Sequence, residues 1–186
     1  REVAQGGRRG ALMLTISVHH PQVRDFIKIK KDLTRVTGAN ISIRVSDEFM
    51  KSVQDGTNVE LRWPIDAVSP TISEYVDART IWHEIIEGAH AAAEPGVLFW
   101  DTAKTYTPSD IYSDEGFGSV STNPCGEIIL SPYDSCRLML LNLTSFVDDS
   151  WRNESSFDFN KFADVVQKAQ RLMDDMIDLE IEQVDK

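Results

Sequence analysis

A switch of hydrophobic period, repeated along the first hundred residues, is the feature that most constrains the fold. Ile41, Ile43 and Val45 alternate with the polar Asn40, Ser42 and Arg44, the period-two signature of a strand with one face against a core. Ala11 to Val18 and Val97 to Trp100 are short apolar runs consistent with buried strands, and Val59 to Trp63 alternates again. Between them the period changes. Val23, Phe26, Ile27 and Lys30 recur at helical spacing behind Pro21; Phe49, Met50 and Val53 follow Ser46, a candidate N-cap; Ile81, Trp82, Ile85, Ile86 and Ala89 form the stripe of a helix over 78–92. This alternation predicts an α/β architecture whose strands are covered by helices and whose active groups lie on loops at strand ends.

Lys31 to Ala39 reads as a polar loop, Pro64 to Pro70 as a break, and Thr102 to Thr122 as a connector of a length normally reserved for functional or mobile segments. Leu138 to Val147 is apolar and ambiguous between strand and buried helix, and Asp148 to Ser156 is a polar turn region. From Asn160 to Gln183 a stripe running from Phe162 to Ile177 predicts a long amphipathic helix. The chain opens at Arg1 without a methionine, and its last helical pattern reaches Lys186 without a Gly or Pro stop, as expected for a fragment of a longer polypeptide.

The 186 residues hold 19 Lys and Arg against 30 Asp and Glu, a net charge of −11 that repels phosphate backbones and anionic lipids. Duplex DNA and membranes are therefore poor partners. No uncharged stretch approaches the roughly 18 apolar residues of a membrane span, so a soluble cytoplasmic protein is expected. Two cysteines do not make a disulfide scaffold, and neither sits at metal-ligand spacing, so no metal is expected and both read as reduced thiols.

The chemistry is concentrated in Asn123-Pro124-Cys125-Gly126-Glu127. Pro124 pushes Asn123 out of the helical region and Gly126 tolerates unusual backbone conformations, so the segment is extended or tightly looped. If extended, Asn123, Cys125 and Glu127 share one face. A carboxylate beside a thiol disfavours the thiolate, which argues against simple nucleophilic chemistry. A neutral thiol between hydrogen-bonding groups suits hydrogen-atom transfer, in which a sulfur radical is generated by a cofactor.

That segment, followed by Ile128, Pro132-Tyr133 and Cys136, resembles the finger loop of ribonucleotide reductase large subunits. Gly6-Gly7-Arg8-Arg9-Gly10-Ala11-Leu12-Met13, His20-Pro21 with Asp25-Phe26-Ile27, Gly38-Ala39-Asn40-Ile41-Ser42, Asp47-Glu48-Phe49-Met50 and Pro95-Gly96-Val97 resemble further blocks of that family in the expected order. The resemblance implies part of a single catalytic domain over residues 1–186, a ten-stranded α/β barrel with a central finger loop at 121–136. It implies that Cys125 becomes a thiyl radical that takes the ribose 3′ hydrogen, that Glu127 is the base at the 3′ hydroxyl and that Asn123 hydrogen-bonds the ribose. Cys136 is implied as one half of a redox pair whose other cysteine lies upstream of Arg1. The 31–40 segment, with Lys31, Arg35, Gly38 and Asn40, is implied to pass between a dNTP or ATP effector and the substrate base.

Further implied partners are a ribonucleoside di- or triphosphate substrate, a thioredoxin- or glutaredoxin-type reductant and a second copy of the chain. The Asn-Pro-Cys-Gly-Glu form and the short loop before Asn40 resemble adenosylcobalamin-dependent members, with radical generation by a separate small dimetal subunit as the alternative. A thiyl radical needs a dry, enclosed site, so Cys125 is expected to point inward. Two other readings compete. One is a cysteine hydrolase or transferase with Cys125 as nucleophile and His19, His20, His83 or His90 as base; the other is a nucleotide-binding regulatory module without chemistry.

Overall fold

The computed structural model describes residues 4–5, 8–32, 34–149 and 152–184, in two compact units, Arg1–Ser135 and Cys136–Lys186. Gly6 and Gly7 of the basic glycine loop lie outside the described residues.

The first unit opens with a short antiparallel pair, β1 (Ala4–Gln5) and β2 (Arg8–Arg9), and is organised around three parallel strands. These are β3 (Leu12–Ser17), β4 (Ala39–Val45) and β7 (Gly96–Phe99), with β4 in the middle and Leu14 opposite Ile41 and Ile43 opposite Val97. Helix α1 (Val23–Lys28), continued by a 3-10 turn at Ile29–Lys31, connects β3 to β4. The longer crossover from β4 to β7 holds α2 (Asp47–Asp55), an antiparallel hairpin of β5 (Asn58–Trp63) and β6 (Ile72–Asp77), and α3 (Ala78–Ala92). Val23 and Ile27 of α1, Phe49 of α2, and Ile81 and Ile85 of α3 pack with Ile43 and Val45 of β4 into one buried cluster. Parallel neighbours need such helical crossovers, so the period switch in the sequence becomes a sheet with helices on one face.

Local signals set the helix boundaries. The Ser46 hydroxyl accepts from the Phe49 amide at 3.1 Å and caps α2, while Gly56, at φ +68°, ends it. Asp77 accepts from the Thr80 amide at 2.8 Å and from its hydroxyl at 2.7 Å, capping α3; these bonds hold the Asp77 carboxyl below its ordinary range. The segment after β7 is more ordered than the polar connector that composition suggests. Trp100–Tyr106 forms α4 and Pro108–Glu115 a 3-10 stretch, before the two-residue strands β8 (Ser121–Thr122) and β9 (Ile129–Leu130).

In the second unit the apolar run Leu138 to Val147 forms no buried helix, and only its last residue enters a strand. Leu138 and Leu140 are exposed, and regular structure begins only with a 3-10 turn at Leu143–Phe146. Without a partner strand or a helical period, a short apolar run specifies no element. Phe146, Phe157 and Phe162 form an aromatic cluster with centroids 5.2–6.0 Å apart around the pair β10 (Val147–Asp148) and β11 (Ser156–Phe157). Asp158 then starts α5 (Phe159–Val184), its carboxylate accepting from the Lys161 amide at 2.9 Å. Among the described residues, no helix is long and apolar enough to cross a membrane.

Candidate active site

Strand β4 divides the sheet by side-chain parity. Ile41, Ile43 and Val45 are buried in the helical core, so Asn40, Ser42 and Arg44 occupy the opposite face. Across that second face lies the β8–β9 hairpin, held by side chains as well as by its own ladder. At its base, Nη1 of Arg44 donates to the Val120 carbonyl at 3.0 Å, and the Thr15 and Ser121 hydroxyls are 3.2 Å apart. At its tip, Nδ2 of Asn40 donates to the Pro124 carbonyl at 2.6 Å. The anchors on β4 are four positions apart, about 13 Å of extended chain, and so are Val120 and Pro124. The hairpin therefore runs antiparallel to β4, from the carboxyl end of the sheet to its amino end.

The tip is a tight turn. The Gly126 amide donates to the Asn123 carbonyl at 3.0 Å, closing a turn with Pro124 and Cys125 at its centre, and the Asn123 amide donates to the Ile128 carbonyl at 3.0 Å. Proline presets the first central position of such a turn, and Gly126 takes φ +82°. Of the two conformations open to this segment, the looped one is adopted. Strand alternation therefore does not bring Asn123, Cys125 and Glu127 to one face. Asn123 is buried, and its Oδ1 accepts from the Ile128 amide at 3.0 Å, whereas Cys125 and Glu127 are exposed in this chain. The inward thiol expected from the sequence is thus a thiol at the apex of a turn, on the face of the sheet that the helices leave open.

The 31–40 segment lies at the same end of the sheet. Lys31, Arg35 and Gly38 are exposed, and a side chain at Gly38 would meet open space. Asp32 organises the turn by accepting from the Thr34 amide at 3.0 Å and its hydroxyl at 2.6 Å, bonds that also lower the Asp32 carboxyl pKa. Lys30, just before the segment, bonds to the Ala39 carbonyl near its end and pairs with Glu94, whose other oxygen accepts from the Ile41 amide at 3.0 Å. A cleft of about 360 Å³ opens there, lined by Gly10, Leu12, Lys30, Gly38 and Asn40. A second cleft of about 430 Å³, at the carboxyl ends of the strands, is lined by His19, Arg44, Glu48, Arg62, Trp100 and Val120. Neither cysteine lines it. Cys136 is exposed and belongs to the second unit.

The histidines are engaged elsewhere. His19 is buried with Nδ1 3.0 Å from the Glu60 carbonyl and Nε2 2.7 Å from the Ser46 hydroxyl, and His20 accepts from the Gln22 amide and stacks edge-on against Trp63. His83 pairs with Glu87 at 3.2 Å, and both His83 and His90 lie on α3, on the helical side of the sheet. This geometry does not favour a cysteine hydrolase. Thr15, Arg44 and the Val120 carbonyl were missed as site residues from sequence. For Arg44 the signal is the polar half of the β4 alternation, whose apolar half is core; Thr15 lies on β3 and Val120 just before β8, outside that alternation.

A parallel sheet covered by helices on one face and crossed on the other by a side-chain-braced hairpin with a cysteine in its turn makes this a mixed α/β domain. The family described as "Ribonucleotide reductase, barrel domain" matches residues 2–186, and the chain belongs to that family. It is 35% identical over 189 residues to the vitamin B12-dependent ribonucleoside-diphosphate reductase of Thermoplasma acidophilum, a match covering 99% of this chain and 23% of that protein. It is 32% identical to the vitamin B12-dependent ribonucleotide reductase of Streptomyces coelicolor, over 92% of this chain and 20% of that protein. A 32% identity to the vitamin B12-dependent ribonucleoside-diphosphate reductase of Mycobacterium tuberculosis (strain ATCC 25618 / H37Rv) covers 95% of this chain and 24% of that protein. The chain thus spans between a fifth and a quarter of the length of these relatives.

Proposed function

We propose that this chain supplies the radical thiol of a ribonucleotide reductase catalytic subunit, with residues 121–136 as the finger loop and 31–40 as the segment between effector and substrate base. The observation that carries this reading is the braced turn at 123–126, whose Pro124–Cys125 peptide is tied to Asn40, a residue that lines the cleft at the amino end of β3 and β4. The naming of two relatives as diphosphate reductases favours a ribonucleoside diphosphate substrate.

In the reaction Cys125, as a thiyl radical, takes the 3′ hydrogen atom of the ribose and returns it at the end. Glu127 accepts the 3′ hydroxyl proton. With its Oδ1 used by the Ile128 amide, Asn123 has its Nδ2 end to offer the ribose. As the 2′ hydroxyl leaves as water, two thiols supply two electrons and two protons and become a disulfide: ribonucleotide plus two thiols gives deoxyribonucleotide, disulfide and water. Cys136 is one of the two, and a thioredoxin- or glutaredoxin-type dithiol restores the pair by exchange in a reducing cytoplasm. A dNTP or ATP bound against Lys31 and Arg35 sets which base is accepted.

The names of the relatives favour adenosylcobalamin over a separate dimetal subunit as radical source. The part of this chain that fits such a cofactor is the Cys125 thiol, exposed on its turn and so open to loss of its hydrogen atom. Bound there, the cofactor would supply the initiating radical. Enclosure of the thiol falls to the remainder of the ten-stranded barrel, since the reaction requires water to be excluded.

The test is to assay the full-length enzyme with adenosylcobalamin and a dithiol reductant but no second subunit. Deoxyribonucleotide formation is expected, to be abolished in Cys125→Ala and severely slowed in Glu127→Ala. Cys136→Ala, which leaves one thiol where each reduction needs two, is expected to block deoxyribonucleotide formation with a protein dithiol. Wild-type reduction in all three variants overturns the reading.

A further inference from the structure

Beyond the place between effector and base that the resemblance implies for the 31–40 segment, and resting on the reading of Cys125 as the radical thiol, we propose that Asn40 is a positioning residue that sets the thiol turn and the 31–40 loop in register on one fixed post. The carbonyl gripped by Nδ2 of Asn40 at 2.6 Å belongs to the peptide joining Pro124 to Cys125, one bond from the residue that bears the thiol. Pro124 brings no N–H of its own, so its carbonyl is the one main-chain polar group by which that residue can be tethered.

The post itself is clamped on both sides. The Ala39 carbonyl accepts from Lys30, and the Ile41 amide donates to Glu94 at 3.0 Å; Lys30 and Glu94 pair with each other. The backbone of residue 40 is therefore held between two bonds made by one ion pair, while β4 carries Leu14 and Val97 partners on either flank one and three residues further on. The side chain of Asn40 reaches the thiol turn, and its main chain ends the loop that approaches the base. The distance between what recognises the base and what attacks the ribose is fixed at this residue. A misplacement of about 1 Å at a reacting group costs on the order of a hundredfold in rate, whereas an exposed neutral hydrogen bond contributes little to stability. Loss of this bond therefore affects the rate far more than the fold.

The full-length holoenzyme is compared as wild type, Asn40→Ala, Asn40→Asp, which keeps the shape but removes the donor, and Cys125→Ser. Expected for both Asn40 variants are a kcat lowered by ten- to a hundredfold, a KM for the ribonucleotide within threefold, and a melting temperature within a few degrees of wild type. In enzyme without nucleotide or cofactor, amide exchange at Cys125 and Gly126 is expected to quicken at least fivefold, with faster alkylation of the Cys125 thiol by iodoacetamide. A raised KM at unchanged kcat makes Asn40 a substrate ligand and overturns the proposal. So does wild-type kcat and exchange in both variants, or a loss of rate matched by a collapse of the melting temperature in both. Continued reduction by Cys125→Ser overturns the function itself, which keeps the two failures apart.

Discussion

The guanidinium of Arg44 holds the carbonyl of Val120 while lying over the indole of Trp100, 4.9 Å from the ring centroid. Its Nε is buried and has no hydrogen-bond partner, and burial pushes the Arg44 pKa down despite the nearby charge of Asp66. A cation kept where desolvation works against it is held there by what it orients, and here that is the base of the thiol hairpin.

Replacing Arg44 with Met should therefore separate stability from activity. The charge-assisted bond to Val120 contributes about 1.5–3 kcal/mol, but removal of a poorly solvated cation returns part of that. A net destabilisation under about 1.5 kcal/mol is expected by urea unfolding, with a fall in kcat of tenfold or more in the full-length enzyme. A loss of more than 3 kcal/mol shows instead that Arg44 is chiefly structural.

Gly126 is placed at φ +82°, and the nearest atom to an added Cβ, Cδ2 of Leu98, lies 3.9 Å away. Space is available, so the cost of Gly126→Ala is backbone strain alone, about 1–2 kcal/mol concentrated in the turn. The expected outcome is a fold retained by circular dichroism and a turn whose Asn123 and Gly126 amides exchange faster. A larger residue such as Val at the same position should add little further penalty beyond its own stiffness, because the strain does not come from crowding.

How much of this was legible in the sequence depends on where the information lay. Helix α3 runs over Ala78–Ala92 as its stripe predicts, and Ser46 caps α2, because periodicity and capping act over one or two turns of chain. Strand β6 was not anticipated: Ile72, Glu74 and Tyr75 are exposed, and its pairing with β5 is what makes it a strand. The same holds for α4, hidden in a segment whose composition resembles a loop. At the site, Cys125, Asn123 and Glu127 could be singled out because their chemistry is local. The braces at Thr15, Asn40 and Arg44 act across 76 to 106 positions of chain, and only the fold brings them to the hairpin.

His19 ties three elements at the carboxyl end of β3. The Glu60 carbonyl can only accept, so Nδ1 carries the proton and Nε2 accepts from the Ser46 hydroxyl, which itself accepts from the Phe49 amide. His19→Phe should leave a buried carbonyl without its donor and cost about 2–3 kcal/mol; Ser46→Ala should cost about 1 kcal/mol for the cap. The two changes share a bond, so the double variant is expected to lose less than the sum. Strict additivity in a double-mutant cycle by chemical denaturation would falsify this chain of bonds.

Glu84 on α3 binds α1 by two hydrogen bonds from Arg24, at 2.5 and 3.0 Å, and one from Lys28 at 3.2 Å. The hydrogen bonds from Arg24 lower the Glu84 pKa more than burial raises it, so the folded value lies below the unfolded one. With a depressed folded pKa, the contribution is fully present above the unfolded carboxyl range near 4.5 and is lost as pH falls through the folded value. Arg24 and Lys28 are nearly half exposed, which limits the effect to roughly 0.5–1 kcal/mol. Glu84→Gln should therefore be less stable than wild type at pH 7 by about that amount, and the two unfolding curves should converge as the pH is taken below 4. The gap should also narrow in 1 M salt, where exposed pairs are screened. A difference that is the same at pH 3 and pH 7 means that Glu84 stabilises the α1–α3 contact by packing and not through its charge.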